Sequence, residues 1–343
     1  MSANLEPSPP ILVAGASGYI GGRLVPVLER RGGRVRCLAR KPDVIREKFG
    51  AGVEPFAGDV LDPDSLRPAL KGARVAYYLI HLMAGDGDFE EQDRRAATNF
   101  AEAARDAGVR RIVYLGGLGD DSDANLSPHL KSRHEVGRIL RDVSGAETIE
   151  FRASAILGPG SLSYDMVKSL TDRLPVMVCP SWLSTPTQPI AVDDVVAYLG
   201  AALDLPPGES RVVEIGGPDV VPYRGLIEEY ARHMGLRRIL VPVPILSPWL
   251  SGLWLALVTP NKFAVGRHLI EGLRNPTVVR DDAARKLFPR IHPVGVAEAV
   301  RRAIGQEGRD EGSWPDARER RGGKNPRDEK KPEIAASDPR IVS

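Results

Sequence analysis

The stretch Ile11-Leu12-Val13-Ala14-Gly15-Ala16-Ser17-Gly18-Tyr19-Ile20-Gly21-Gly22 decides the fold. A short apolar run reads as a buried strand and the amphipathic residues after Gly18 as a helix, so the three glycines stand at a strand-to-helix turn. Each has a physical task. Gly15 permits the tight turn, Gly18 lets backbone approach a pyrophosphate, and Gly21 lets the helix pack closely on the sheet. The helix N-terminus adds free N–H groups and a partial positive charge, and Ser17 adds a hydroxyl donor. The expectation is a dinucleotide site contacted by Gly15, Ala16, Ser17, Gly18, Tyr19 and Ile20, against the plainer reading of a glycine turn with no ligand.

Working outward, apolar runs at 11–14, 35–38, 53–56, 75–80, 112–115 and 148–152 alternate with helical patterns at 20–31, 42–49, 64–70, 91–108 and 131–143. Such alternation implies an α/β fold, a Rossmann-type doubly wound parallel sheet with helices on both faces. Asp62-Pro63 and Asp64 should open the third helix, and Gly32-Gly33 and Gly108 should close the first and fourth. The second half is less regular. Strands are expected at 189–192, 212–215 and 239–243, and helices at 195–205 (capped by Asp193-Asp194), 223–235 and 294–304. This divides the chain into a nucleotide-binding domain at 1–160, a smaller C-terminal α/β region at 161–304 that completes the fold and a substrate cleft, and a tail at 305–343. That tail holds 9 Lys/Arg and 9 Asp/Glu with little large and apolar beyond Trp314, so it is expected to be disordered.

The end of the second strand discriminates between cofactors. An NAD site usually places Asp or Glu there for the ribose 2′-hydroxyl, whereas this chain reads Arg36-Cys37-Leu38-Ala39-Arg40-Lys41-Pro42. Guanidinium and ammonium groups suit a 2′-phosphate, so NADP(H) is the expected partner and NAD(H) the alternative; a pair of solvated surface charges is the bland reading. Gly58-Asp59-Val60 follows the third strand, where Asp59 is placed to accept from an adenine amine and Val60 to pack on the ring, or else to form a turn. Leu79, Ile80 and His81 follow the fourth strand at the carboxyl ends, where ligands bind in open α/β sheets.

The whole-chain properties narrow the class. The 343 residues carry a formal net charge of +2, with 42% hydrophobic and 27% charged. That suits a globular core and gives no footprint for nucleic acid. Cys37 and Cys179 are far apart and have no metal-ligand spacing, so a reducing, cytoplasmic location and no metal site are expected. Residues 1–10 lack the basic start of a signal peptide. The most apolar stretch, 245–258 with Trp249 and Trp254, is too short to span a bilayer, which needs ~20 apolar residues. It reads as a buried helix, with a partner-binding or membrane-surface helix as alternatives.

Together the glycine loop, Gly58-Asp59-Val60, Val113-Tyr-Leu-Gly-Gly117, Arg152-Ala-Ser-Ala-Ile-Leu-Gly158-Pro159-Gly160 and Pro189-Ile-Ala-Val-Asp193-Asp194-Val resemble the short-chain dehydrogenase/reductase superfamily, in its atypical, NmrA-like branch. The resemblance runs from Ile11 to about Ile304 and implies NAD(P)(H) at the strand ends. It also implies a Tyr-x-x-x-Lys pair on the helix after the fifth strand, the Tyr as acid/base and the Lys on the nicotinamide ribose, with a Ser or Thr at that strand's end.

The chain departs from this pattern. At the matching spacing stand His129 and Arg133, within Ser127-Pro-His-Leu-Lys131-Ser-Arg-His134, and near the serine position stand Gly116-Gly117-Leu-Gly119. In one reading His129, whose ordinary pKa near 6.5 suits proton transfer at neutral pH, is the acid/base and Arg133 holds the ribose. In the other, both are surface or cofactor-positioning residues and the usual reductase chemistry is absent. Tyr164, Tyr78 and His81 are further candidate donors. Two functions compete: an NADPH-dependent oxidoreductase acting on a small carbonyl or quinone, and a catalytically inactive NADP(H)-sensing regulator or scaffold with a protein partner. A sugar-nucleotide epimerase or dehydratase is a weaker third. Substrate, partner and oligomeric state are not legible.

Overall fold

The computed structural model describes residues 8–82, 89–243 and 273–307. The readings at 245–258 and over nearly all of 305–343 lie outside the described residues.

The run before the glycines is β1 (Ile11–Ala14), and α1 (Tyr19–Arg30) leaves the turn after it. Alternation continues as β2 (Val35–Ala39), α2 (Pro42–Phe49), β3 (Val53–Ala57), α3 (Pro63–Leu70), β4 (Val75–Tyr78), α4 (Phe89–Asp106), β5 (Arg111–Gly117), α5 (Pro128–Val143) and β6 (Glu147–Ala153). Local chemistry sets the boundaries. Pro63 and Pro128 begin helices where a missing N–H is harmless. Asp62 accepts from the Asp64 N–H and Ser127 from the Leu130 N–H, capping α3 and α5. Gly32 and Gly108 take positive φ just after α1 and α4, stopping each helix.

Beyond β6 the elements are shorter: β7 (Ile156–Leu157), α6 (Leu162–Arg173), β8 (Val176–Pro180), β9 (Pro186–Thr187), β10 (Ile190–Ala191), α7 (Val192–Ala201), β11 (Arg211–Ile215), β12 (Val221–Pro222), α8 (Tyr223–His233) and β13 (Ile239–Val243). The last two helices are α9 (Ala283–Leu287) and α10 (Val296–Gln306).

One seven-stranded sheet runs β11-β6-β5-β4-β1-β2-β3, every pair parallel. Strand order reverses between β1 and β4, which places the switch-point crevice beside the glycine turn. Successive β1 residues face opposite sides. Val13 packs with Leu24, Val25 and Leu28 of α1 and with Val195 and Leu199 of α7; Leu12 and Ala14 pack with Tyr78, Leu66 of α3 and Phe100 of α4. A third cluster joins α6, α8 and α10 around Tyr164, Tyr230 and Trp182. The sheet takes its seventh strand from beyond residue 160.

Three expectations are corrected. Asp193 and Asp194 do not cap α7; Ala191 holds that position and both acids lie in the first turn, with Asp194 accepting instead from the Val294 N–H at 2.9 Å. The strand expected at 75–80 stops at Tyr78. Leu79 and Ile80 are the loop that meets the glycine turn. The final helix runs two residues beyond Ile304, to Gln306.

Candidate cofactor and catalytic site

The glycine turn is sterically closed to larger residues. Gly15 has φ +93°, and a Cβ there would lie 2.7 Å from the Leu79 carbonyl oxygen; a Cβ on Gly21 would lie 2.2 Å from the Gly15 oxygen. The Gly15 carbonyl accepts from the Gly18 N–H at 2.9 Å. Turn, helix start and the end of β4 are thus pressed together with no side chain between them. Gly18 is the N-cap of α1 and gives it no side-chain cap, and the first turn carries no acid. An uncapped helix start beside bare backbone fits a pyrophosphate. Ala16 is buried under the turn and Ser17 is exposed beside it. Ile20 packs on the core. Tyr19 turns its ring beneath the Arg23 guanidinium, 4.2 Å from the ring centre, and Arg23 donates to the Pro159 carbonyl at 3.0 Å.

Arg40 and Lys41 are exposed at the end of β2, and Lys41 is the N-cap of α2. The sequence has no Asp or Glu from Val35 until Asp43. Asp59 bends its own loop: Oδ1 accepts from the Leu61 N–H at 3.0 Å. Its backbone N–H and carbonyl both bond the Ser65 hydroxyl. Val60 is buried in the core beside Leu12 and Ala14. The Asn99 amide holds its carbonyl at 3.0 Å.

The ends of β4 and β5 and the start of α5 bring together what the sequence had left separate. His81 Nδ1 lies 3.0 Å from Asp93 Oδ2, and its Nε2 lies 3.2 Å from His129 Nδ1. The two rings stack obliquely with centres 4.9 Å apart. Asp93, on α4, is 1% exposed. It also accepts from the Leu82 N–H at 3.0 Å and the Ser132 hydroxyl at 3.2 Å. Burial opposes its charge, but the His81 hydrogen bond, with the positive charges of His81 and Arg133, holds its carboxyl below the ordinary range. Burial, reinforced by Arg133, lowers His81 against the pull of Asp93. With Asp93 ionised, Nδ1 of His81 carries the hydrogen and its Nε2 accepts from Nδ1–H of His129.

Sequence reasoning singled out His81 and His129 but missed Asp93. The signal was present: Asp93 lies four residues after Phe89 and three and four before Ala96 and Ala97, a carboxylate in the buried stripe of α4.

Arg133 is buried and spends its guanidinium on the chain itself. It donates to the Ile80 carbonyl at 3.2 Å and to the Leu115 carbonyl, over the face of Tyr114. These contacts tie β4 to β5 beneath the histidine pair. Next to it, His134 lies 2.9 Å from the Gly117 carbonyl and 2.5 Å from Asp121, whose other oxygen meets Arg152 at 2.7 Å. A histidine bound to backbone therefore fills the space beside Gly117, near where the resemblance implied a hydroxyl.

The tyrosine candidates sit elsewhere. Tyr78 is wholly buried against Phe100 and Tyr114, and burial pushes its hydroxyl well above its ordinary pKa. Tyr164 and Lys168 reproduce the Tyr-x-x-x-Lys spacing, but on α6. There Tyr164 donates to Glu307, and Lys168 reaches Glu307 and the Tyr230 hydroxyl, both at 3.1 Å. Burial first, then the Glu307 carboxylate, raise the Tyr164 pKa. A reductase tyrosine needs the opposite shift, so this pair is a clasp between α6, α8 and the end of α10.

A parallel sheet whose strand order reverses at a glycine turn, with a helix start that has no side-chain cap, is the architecture in which dinucleotides bind. Residues 15–164 match the family model of NAD(P)H-binding domains. That match lies in the first half of the chain, and the relatives that the chain resembles carry reductase names among others. It is 27% identical to sterol demethylase protein B of Methylococcus capsulatus, over 82% of this chain and 84% of that one. It is 28% identical to ceramide reductase of Caulobacter vibrioides, over 75% and 82%. The triphenylmethane reductase of Citrobacter sp., solved with NADP(H), shares the fold with a TM-score of 0.69 at 18% identity, covering 86% of this chain and 99% of that one. Among the described residues no helix is long and apolar enough to cross a membrane.

Proposed function

We propose that the chain is an NADPH-dependent reductase of an apolar carbonyl or quinone, with His129 as proton donor. The observation that carries this reading is the hydrogen-bonded series Asp93–His81–His129, which begins two residues past the Leu79 carbonyl that touches the glycine turn. A surface histidine needs no such support. Here a buried carboxylate fixes the tautomer of one imidazole, which in turn orients a second at the crevice.

NADPH, when bound, would supply the hydride to a carbonyl carbon. His129 in its protonated form would give a proton to the oxygen, yielding the alcohol and neutral His129, and His81 with ionised Asp93 favours reprotonation of His129 from solvent. Arg133 takes no part in holding the ribose; it fixes the strand ends. Arg40 and Lys41 receive the 2′-phosphate and set the preference for NADPH over NADH. The apolar substrate class is supported by the names of two relatives, ceramide reductase and sterol demethylase protein B.

The test is NADPH oxidation across a panel of lipid-like ketones and quinones. His129→Gln should lower kcat by roughly 10²-fold or more, the usual scale for a lost general acid, with NADPH affinity unchanged. Asp93→Asn should lower kcat about tenfold and displace the pH profile. Full turnover in His129→Gln, or no oxidation with any acceptor, overturns the assignment.

A further inference from the structure

We propose that the outer face of the β8–β13 ribbon docks on an anionic lipid bilayer, an attachment surface separate from the nucleotide crevice. The strands pair in parallel, with Ile239 opposite Val176 and Val241 opposite Val178. All four side chains are exposed, at 62%, 53%, 42% and 41% for Ile239, Val176, Val241 and Val178. The intervening Met177 and Cys179 face inward and are buried in the third core cluster. One side of the ribbon is therefore core, and the other is a bare patch of β-branched side chains. Parallel strands are ordinarily covered on both faces, so this patch calls for an occupant.

Charge selects the occupant. From Leu174 through Val192 the chain carries no charged residue, and from Leu236 through Ile270 it carries no Asp or Glu. The cations near the patch are Arg173 before β8 and Arg237 and Arg238 before β13; Lys262 and Arg267 follow later in the sequence. Arg237 is exposed. Acids stand at the rim, Asp172 beside Arg173 and Glu228 in one groove with Arg238 and Leu240, but Arg173, Arg224, Arg237 and Arg238 outnumber them, and an apolar face with a cationic excess suits anionic headgroups over acyl chains. From β13 the sequence passes directly into uncharged residues that include Trp249 and Trp254, the residue type enriched at membrane interfaces. Size argues against a second copy: four half-exposed side chains offer on the order of 300 Å², while a stable interface needs about 800 Å² per partner.

The test is co-sedimentation of the full chain with vesicles of phosphatidylcholine alone and of phosphatidylcholine mixed with phosphatidylglycerol, at low and high salt. The wild type should pellet with the phosphatidylglycerol vesicles and be released by salt. The combined variant Val176→Thr, Val178→Thr, Ile239→Thr and Val241→Thr keeps β-branching but removes the apolar face. It should partition at least tenfold less while keeping the wild-type melting temperature. Arg237→Glu, which leaves the apolar face intact and remains informative if the combined variant fails to fold, should weaken binding severalfold. A wild type that stays in the supernatant with both vesicle types overturns the proposal, as do variants that bind as the wild type does. So does a wild-type dimer in sedimentation velocity that the four substitutions convert to monomer, which would assign the face to a second copy.

Discussion

At the scale of single residues, the chain shows how a glycine can be demanded by a charge rather than by a turn. Gly137 sits inside α5, where glycine costs helix stability. A Cβ there would lie 2.2 Å from Oε2 and 2.4 Å from the carboxyl carbon of Glu150. Glu150 is fully buried and held by Arg141 and by Arg152, the latter at 2.7 Å. The missing side chain is what lets α5 settle over a buried carboxylate and its two arginines. Gly137→Ala must push the helix away or tear the carboxylate from its partners. Overpacking costs typically ~1–3 kcal/mol, and breaking a buried pair costs more, so we expect a loss of about 3 kcal/mol, read as a fall in the urea midpoint. A midpoint equal to the wild type's would show that the network shifts freely and that the close packing has no energetic weight.

At the scale of elements, the periodic half of the chain was legible because each strand and helix there carries its own signal. The runs at 11–14 and 42–49 coincide with β1 and α2, and the expected ends of the other early elements lie within a few residues of those observed. The later half was less legible for a physical reason. The β8–β13 ribbon joins segments distant in sequence, and β9 and β12 are only two residues long, so their pairing is set by docking on α6 and α8 rather than by local pattern. Helix α6 went unread although Ser161 caps it, because Tyr164 and Lys168 obscure its apolar face. The site divides in the same way. The glycine turn and the basic end of β2 are local and were read directly, whereas Asp93 reaches His81 only through the fold. Arg40 stands where β2 hands over to α2, and its role belongs to that junction. If it receives a 2′-phosphate, Arg40→Ala should weaken NADPH binding roughly tenfold, the equivalent of about 1.4 kcal/mol, while NADH binding changes little. Titration by nicotinamide fluorescence decides this, and an equal effect on both cofactors would remove the residue from the 2′ site.

At the scale of the whole molecule, a half-buried and a buried histidine tie the sheet to its helices and make the fold sensitive to acid. His81 connects the end of β4 to α4 and α5; His134 connects α5 to the end of β5. Burial lowers both, with Arg133 adding to the effect at His81 and Arg152 at His134. The sign follows from linkage. Above the unfolded value near 6.5, folded and unfolded chains both hold these rings neutral, and stability does not depend on them. Below it the unfolded chain takes up protons that the folded chain refuses, so stability falls as pH drops from about 6.5 toward the folded values. The lowered carboxyl of Asp93 extends the loss to more acid conditions, since the stability it contributes is present above its unfolded pKa and disappears as pH falls through its folded one. Thermal melts should therefore be level between pH 8 and 7 and decline steadily from pH 6.5 to 5. His134→Gln, an uncharged side chain able to keep the Gly117 contact, should flatten part of that decline without touching the His81–His129 pair. A wild-type profile that stays level down to pH 5 would mean that the folded protein accepts protons on these rings as readily as the unfolded chain does, and that their burial exerts no control over its acid stability.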